Sequence, residues 1–375
     1  MPILIRDHFL LNSTSTNYST LNRRLRHISI GAGILICLAV LTAYLIAFSS
    51  VTLKYDDARS VLIPRGLDVD EVADSLASRG ILAKRRSFIV FARVSGWGDQ
   101  VKAGHYLIES GSSSRDIMDQ LRRGLQEPVR VQVPAGTRKE RLARALSQNM
   151  AFSTEDMLSV LRDSSFSAEL ETDTTQLFGY ILPETYFFYW LTSPEDVVRK
   201  IKSSTDTLIT NTLNRLEMIA AEDKPPFSQN FSPDEVLRLA AIVEWETAHK
   251  PEKARIAGVY LNRIRDGWPL QADPTIQFAV MQLEGSKRRL LFRDYDLRHP
   301  YNTYNYRGLP PGPITNPSAS SIRAVLTPES HRFFYFVATG DGTHIFSKTL
   351  AEHNRKANEY RRLMRERRAA QSSSP

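Results

Sequence analysis

Residues 232–249 read SPDEVLRLAAIVEWETAH, and the interpretation of the C-terminal part of the chain starts from this stretch. A serine cap, a proline at the first helical position and a glutamate three residues after the cap are typical of a helix start. Apolar side chains then recur at helical spacing, and Pro251 predicts an end near His249. The sequence therefore predicts one amphipathic helix that carries two carboxylates near its end.

The two carboxylates of this helix, Glu244 and Glu246, are predicted to have different roles. Glu244 lies beside the apolar stripe, where burial of a charge is unfavourable, so we expect its pKa to be raised. A raised pKa suits a general acid, and the alternative is a helix carboxylate with a local partner. Glu246 is turned about 200° away at about 100° per residue. It can pair with Lys250 at i+4 and is therefore predicted to be structural.

Ahead of this helix, the N-terminus contains an apolar segment, residues 28–48, without a charged side chain. Its length suits a bilayer core, although a buried core helix has the same composition. Three arginines precede the segment and two aspartates follow it. The positive-inside rule therefore predicts a cytoplasmic tail at 1–27, a transmembrane helix at 28–49, and the remainder outside the cytoplasm.

Composition limits what the remainder of the chain can be. The chain has 375 residues, enough for two or three folded units, and 42% of them are hydrophobic. Its only cysteine, Cys37, lies in the apolar segment, so no disulfide or cysteine metal site is expected beyond it. The formal net charge is +8. Outside the membrane this charge favours anionic lipid or an anionic wall polymer and argues against nucleic acid as a partner.

The exported part is predicted to be α+β and to contain two folded domains. Residues 58–126 read as strand, helix, helix, strand and a last helix, which indicates a small α+β module, with a simple spacer as the alternative. Residues 127–360 form a larger mixed α/β domain. It contains an aromatic stretch at 178–189, interrupted by a proline and predicted to be irregular, and a buried strand at 333–338. A basic, partly disordered tail is expected at 361–375.

Three further stretches of the larger domain carry polar groups suited to sugar binding. Residues 270–275 read LQADPT, a turn that ends in a helix cap. Residues 301–306 read YNTYNY and offer amide, hydroxyl and phenol groups. Residues 308–314 read GLPPGPI, a rigid loop able to hold the preceding run in place.

Taken in order, the EWET, LQADPT, YNTY, GLPPGPI and EHN motifs resemble those of the YceG-like endolytic murein transglycosylases, over about residues 60–360. The resemblance implies a single-pass inner-membrane protein with a LysM-like module and a catalytic domain in the periplasm. It implies cleavage of nascent glycan strands between N-acetylmuramic acid and N-acetylglucosamine. Peptidoglycan synthases are the implied protein partners, and the N-terminal helix would contact membrane lipid.

By motif position, the resemblance implies that Glu244 is the catalytic acid. It would protonate the glycosidic oxygen and then take the proton from the muramic acid C6 hydroxyl, which attacks C1 and leaves a 1,6-anhydro end. This reaction needs neither cofactor nor metal. The implied substrate-binding residues are Gln271, Asp273, Tyr301, Asn302 and Tyr304.

Two other functions are compatible with the same residues. A wall hydrolase would use water, with Asp273 or Glu246 as the partner base of the acid. A non-catalytic peptidoglycan-binding or division scaffold would use the carboxylates only for structure. The masses of the reaction products separate the first alternative from a lytic transglycosylase.

Overall fold

The computed structural model describes residues 15–136, 138–217 and 231–372, and the chain divides into two compact units, Met1–Glu127 and Pro128–Pro375. Helices and small antiparallel sheets make up both units, which confirms the predicted mixture of helix and sheet behind an N-terminal apolar helix. Of the predicted cytoplasmic tail, residues 1–14 lie outside the described residues.

The first unit contains a two-stranded antiparallel sheet covered by three helices. β1 and β2 pair from Arg59 opposite Ile108 to Ile63 opposite Gly104. A capping box starts α2, because the Asp68 side chain accepts from the N–H of Glu71 and the Glu71 side chain accepts from the N–H of Asp68. The elements are α1 (Ser15–Phe48), β1 (Arg59–Ile63), α2 (Val69–Ser78), α3 (Arg85–Val94), a 3₁₀ turn (Gly98–Gln100), β2 (Gly104–Ile108) and α4 (Ser114–Arg123).

Helix α1 includes the apolar segment. Its part Arg23–Phe48 is long and apolar enough to cross a membrane, and none of that stretch is buried against the protein. Leu35 and Ile36, for example, are 69% and 64% exposed. Exposed apolar surface of this extent is unfavourable in water, so the helix is suited to a lipid environment.

The second unit begins with a sheet of two strands distant in sequence. β3 and β4 pair antiparallel, and five helices, α5 to α9, follow them or lie between them. The aromatic stretch predicted to be irregular forms the short helix α8 and the strand β4, because its second half pairs with β3. The elements are β3 (Val129–Gln132), α5 (Lys139–Ser147), α6 (Thr154–Arg162), α7 (Ser164–Glu169), α8 (Leu177–Tyr180), β4 (Thr185–Phe188) and α9 (Pro194–Glu217).

The rest of the second unit surrounds helix α10. This helix contacts α8, α11, α12 and α13, and for that reason its predicted apolar stripe is only part of a wider buried surface. The predicted buried strand at 333–338 is shorter and only partly buried, and it pairs antiparallel with β6. The elements are α10 (Pro233–Glu246), a 3₁₀ turn (Lys250–Glu252), α11 (Lys253–Arg265), α12 (Asp273–Glu284), a 3₁₀ turn (Phe292–Asp296), α13 (Ala319–Leu326), β5 (Tyr335–Ala338), β6 (His344–Ser347) and α14 (Leu350–Ser372).

The start and the end of α10 are both set by side chains. At the start, Ser232 and Glu235 form the predicted capping box behind Pro233. At the end, Thr247 takes an extended conformation with φ −145°, and its hydroxyl accepts from the N–H of His249 at 3.0 Å. A side chain that binds the backbone in this way competes with the helix. Helix α10 therefore ends at Glu246, three residues before the predicted end.

Loss of the Ser232 cap is expected to destabilise the second unit without changing its fold. Ser232→Ala leaves the N–H of Glu235 without its acceptor, so the free energy of unfolding should fall by about 1 kcal/mol. Ser232→Asp, which keeps an acceptor, should retain most of the stability. Urea denaturation checks both variants, and an unchanged midpoint for Ser232→Ala would contradict the assigned cap.

Candidate active site

A cleft of about 700 Å³ lies at the C-terminal end of α10. Its wall combines the end of α10, the first turn of α12 and the segment between α12 and the following 3₁₀ turn. Carboxylates, cations, an amide and apolar side chains all line it, which is the mixture expected of a polar ligand site. The lining residues are Trp245, Glu246, Asp273, Pro274, Gln277, Lys287, Arg289, Leu290, Leu291, Phe292 and Tyr295.

Glu246, not Glu244, is the glutamate of the EWET motif that lines this cleft. Burial, and to a smaller extent the charge of Asp273, raise the pKa of Glu246 to about 7. The hydrogen bond that Tyr260 donates to its Oε1 and the charge of Arg263 act in the opposite direction. A carboxyl group with a pKa near 7 exchanges its proton readily at neutral pH, as a general acid must.

Glu244 points instead into a closed polar network. Its Oε2 is 2.8 Å from Nζ of Lys253 and accepts from the N–H of Ser318 at 3.0 Å and from the hydroxyl of Ser321 at 2.6 Å. Only 20% of the Glu244 side chain and 4% of the Lys253 side chain are exposed.

The prediction that the pKa of Glu244 is raised is wrong. Burial acts upward, but the hydrogen bonds from Lys253, Ser318 and Ser321 outweigh it and leave the pKa below its ordinary value. The carboxylate also lies at the N-terminus of α13, where backbone N–H groups favour negative charge. Glu244 is therefore held as an ionised partner of Lys253, and its assignment as the catalytic acid stays a prediction.

The predicted pair of Glu246 with Lys250 is absent from the described residues, and the helix end explains why. Glu246 is the last residue of α10, and Lys250 belongs to the separate 3₁₀ turn that follows. A pair at i+4 needs a continuous helix between the two residues. Because α10 ends before Lys250, the Glu246 side chain contacts Tyr260 of α11 and lines the cleft.

Asp273 and Tyr304, two of the predicted binding residues, are in direct contact. The Tyr304 hydroxyl donates to Oδ1 of Asp273 at 2.7 Å, and the Tyr295 hydroxyl lies 3.4 Å from Oδ2. The rings of Tyr295 and Tyr304 pack edge to face at 4.9 Å. Asp273 lines the same cleft as Glu246, so the hydroxyls of Tyr295 and Tyr304 hold in place a carboxylate of that cleft.

Asn302 is entirely buried, and its assignment as a sugar contact stays a prediction. Its amide nitrogen donates to the carbonyls of Tyr295 at 3.0 Å and Leu297 at 2.8 Å. Its amide oxygen accepts from the N–H of Tyr304 at 3.0 Å. With its amide engaged in this way, Asn302 holds the two tyrosines that contact Asp273.

Gln271 and Tyr301 do not line the cleft of Glu246. Gln271 is exposed, with φ of 49°, and its N–H donates to the carbonyl of Thr303 at 3.0 Å. Tyr301 is buried against Phe278 and lines a second cavity of about 570 Å³. The structure thus places Asp273 in the same cleft as Glu246, and Gln271 and Tyr301 outside that cleft.

Several residues of the cleft were not found from the sequence. The cleft is also lined by Gln277, Lys287 and Arg289, and the Tyr260 hydroxyl donates a hydrogen bond to Glu246. They belong to no motif, so only the fold reveals that they are near Glu246. Across residues 15–136, 138–217 and 231–372, no group of three His, Cys, Asp or Glu side chains is placed to hold a metal ion.

The chain belongs to the YceG-like family, whose model matches residues 61–359. It is 29% identical over 317 residues to the endolytic murein transglycosylase of Bacillus subtilis, covering 80% of this chain and 84% of that protein. The namesake from Streptococcus pneumoniae D39 is 28% identical over 340 residues, and the match spans 58% of its length. The crystal structure of the yceG-like protein lmo1499 from Listeria monocytogenes superposes with a TM-score of 0.52 at 26% identity, covering 80% of this chain and 98% of that one.

Neutralising Glu244 is expected to cost stability. Glu244→Gln leaves the Lys253 ammonium buried without its counter-ion, so the free energy of unfolding should fall by about 3 kcal/mol. Because the pKa of Glu244 is lowered by folding, its contribution is present at neutral pH and is lost on acidification. The double variant Glu244→Gln/Lys253→Met should recover part of the loss. Urea denaturation at pH 7 measures all three proteins, and equal stability of wild type and Glu244→Gln would refute the structural role.

Proposed function

We propose that this protein is an endolytic lytic transglycosylase that cleaves nascent glycan strands between N-acetylmuramic acid and N-acetylglucosamine and leaves 1,6-anhydro ends, helping to terminate glycan elongation. The names of its relatives support the substrate class and the reaction. The observation that carries the proposal is the partly buried carboxyl group of Glu246, which has a pKa of about 7 and lines a large cleft of mixed polar and apolar side chains.

In this mechanism Glu246 is the acid and then the base, the role that the family resemblance gave to Glu244. The protonated carboxyl group donates its proton to the glycosidic oxygen as the bond to C1 breaks. The resulting carboxylate accepts the proton of the C6 hydroxyl, whose oxygen closes on C1. Because the nucleophile belongs to the substrate, proximity replaces a bound water molecule. No cofactor takes part.

The neighbours of Glu246 set its proton affinity and its position. Tyr260 donates to one carboxylate oxygen and thereby orients the group. Asp273 raises the pKa of Glu246 through its negative charge, and Tyr304 fixes Asp273 by a hydrogen bond. We assign Asp273 and Tyr304 to positioning, and Gln271 and Tyr301 to contacts with the strand outside the cleft.

A water-using hydrolase is the second candidate, because Asp273 lines the same cleft as Glu246. A pair of carboxylates on one cleft is the arrangement that glycoside hydrolysis generally uses. Mass spectrometry of the products decides between the two reactions, since an anhydro end is lighter by one water than a reducing end. Reducing ends alone would assign the hydrolase.

For the rest of the chain, we propose that α1 anchors the protein in the inner membrane with its N-terminus in the cytoplasm. Three arginines before the apolar segment and two aspartates after it support this orientation. The small α+β part of the first unit would then be a LysM-like module that contacts the wall in the periplasm. Anchoring beside the membrane suits partnership with peptidoglycan synthases, which release new strands there.

Replacement of Glu246 by Gln is expected to abolish cleavage while the protein stays folded. Loss of the acid should lower kcat by about 10²-fold or more, because general acid catalysis typically contributes that much. At pH 8 the variant should also be more stable than wild type. Wild-type Glu246 is largely ionised at that pH, and a charge in this partly buried site destabilises the folded state, whereas the amide of Gln carries no charge. Release of fragments from purified glycan strands and thermal denaturation measure the two effects.

The matched control for this experiment is Glu244→Gln, which removes the other glutamate of the same motif. Assayed well below its melting temperature, it should retain substantial activity because Glu244 does not reach the cleft. The opposite outcome, an active Glu246→Gln and a folded but inactive Glu244→Gln, would return the catalytic role to Glu244.

Activity is expected to fall as pH rises through about 7. Glu246 must carry its proton at the start of the reaction, and its pKa lies at about 7. Asp273→Asn removes a charge that raises this pKa, so the falling limb of the kcat/KM profile should move to lower pH. A limb that Asp273→Asn leaves in place, or moves upward, would contradict the assignment.

A further inference from the structure

Two cations on the edge of the cleft have no described carboxylate partner. Lys287 and Arg289 both line the cleft that contains Glu246, and both are exposed. Nζ of Lys287 lies 5.5 Å from the ring centroid of Trp245, a further lining residue. Within the part of the chain that the structure describes, neither cation lies within 4 Å of an acidic oxygen, so their charge is available to a ligand.

Arg288, which separates these two residues, has the opposite environment. Its guanidinium pairs with Glu284 at 2.7 Å and with Asp294 at 2.6 Å. Asp294 is only 7% exposed, also accepts from the N–H of Leu291 at 2.6 Å, and has its pKa lowered to about 2 by these contacts. Arg288 therefore fastens the segment to the protein.

The segment is neither helix nor strand at 287–291, and Arg288 does not line the cleft, whereas Lys287 and Arg289 on either side of it do. Fastening Arg288 inward thus turns Lys287 and Arg289 together towards the cleft. Their common direction is a consequence of the fold and not of an attraction between them, because like charges repel.

Gln277 supplies a second, independent sign of a ligand in the same cleft. Its side chain is 8% exposed, and its amide nitrogen has no hydrogen-bond partner among the residues that the structure describes. A buried donor without an acceptor is costly, which indicates that a ligand oxygen completes it. An amide or acetamido carbonyl next to the two cations has the required chemistry.

We propose that Lys287 and Arg289 bind free carboxylates of the stem peptide that the muramoyl residue carries, with Gln277 donating to a neighbouring carbonyl. This inference rests on the proposed function and specifies its substrate. The N-acetylglucosamine units and the ring hydroxyls of a glycan strand are neutral, so they offer no partner for two cations. The stem peptide supplies both carboxylates and amide carbonyls close to the bond that is cut. The cleft is therefore selective for strands with acidic stems.

The test uses two sets of nascent strands, polymerised from the same lipid-linked precursor with the stem carboxylates either free or amidated. Full-length protein in detergent should cleave the free-acid strands with a kcat/KM about 10-fold higher, mainly through KM. In Lys287→Ala/Arg289→Ala this preference should fall to nearly one. Lys287→Arg/Arg289→Lys should keep most of it, and about 0.5 M salt should reduce it in the wild type.

The charge control is Arg130→Ala/Arg332→Ala, which removes two exposed cations that do not line the cleft and should keep the wild-type preference. Wild-type cleavage of both strands at equal kcat/KM would overturn the inference and leave the proposed function standing. An equal loss of preference in the charge control would also overturn it, because a general field would then explain the effect. Absence of cleavage with either strand would instead refute the proposed function and the inference with it.

Discussion

The packing of α10 against its neighbours depends on the ion pair between Glu244 and Lys253. It ties α10 to α11, and the serines around it add the N-terminus of α13. The pair is almost closed to water, so its strength derives from hydrogen bonds that satisfy the carboxylate as well as from charge. Glu246 lies two residues further along the chain, at the end of the same helix. Glu244 is thus held ionised by its partners, whereas the pKa of Glu246 is raised to about 7.

Much of the fold follows from local signals in the sequence. The cap of α10 and the order of strands and helices between β1 and α4 were predicted, because capping residues and turns act over a few residues. The pairing of β3 with β4 was not predicted. It joins residues more than fifty positions apart, and no local pattern reports such a contact.

The candidate site, too, was predictable from the sequence only in part. Asp273 and Tyr304 were selected from motifs as binding residues. In the structure they are hydrogen-bonded to each other, and Asp273 lines the same cleft as Glu246. The choice between the two glutamates required the end of α10 and the position of Lys253, which are tertiary facts. Helical periodicity placed Glu244 beside apolar neighbours correctly, but it contained no information about the cation that approaches from α11.

The early end of α10 has a chemical effect beyond its geometry. Another turn of helix would place the ammonium of Lys250 within reach of Glu246, and an ion pair would convert a readily exchangeable proton into a permanent negative charge. Thr247 prevents this by turning the backbone away. Thr247, which does not line the cleft, thus keeps Lys250 away from Glu246, and under the proposed mechanism a change that extended the helix would remove the exchangeable proton.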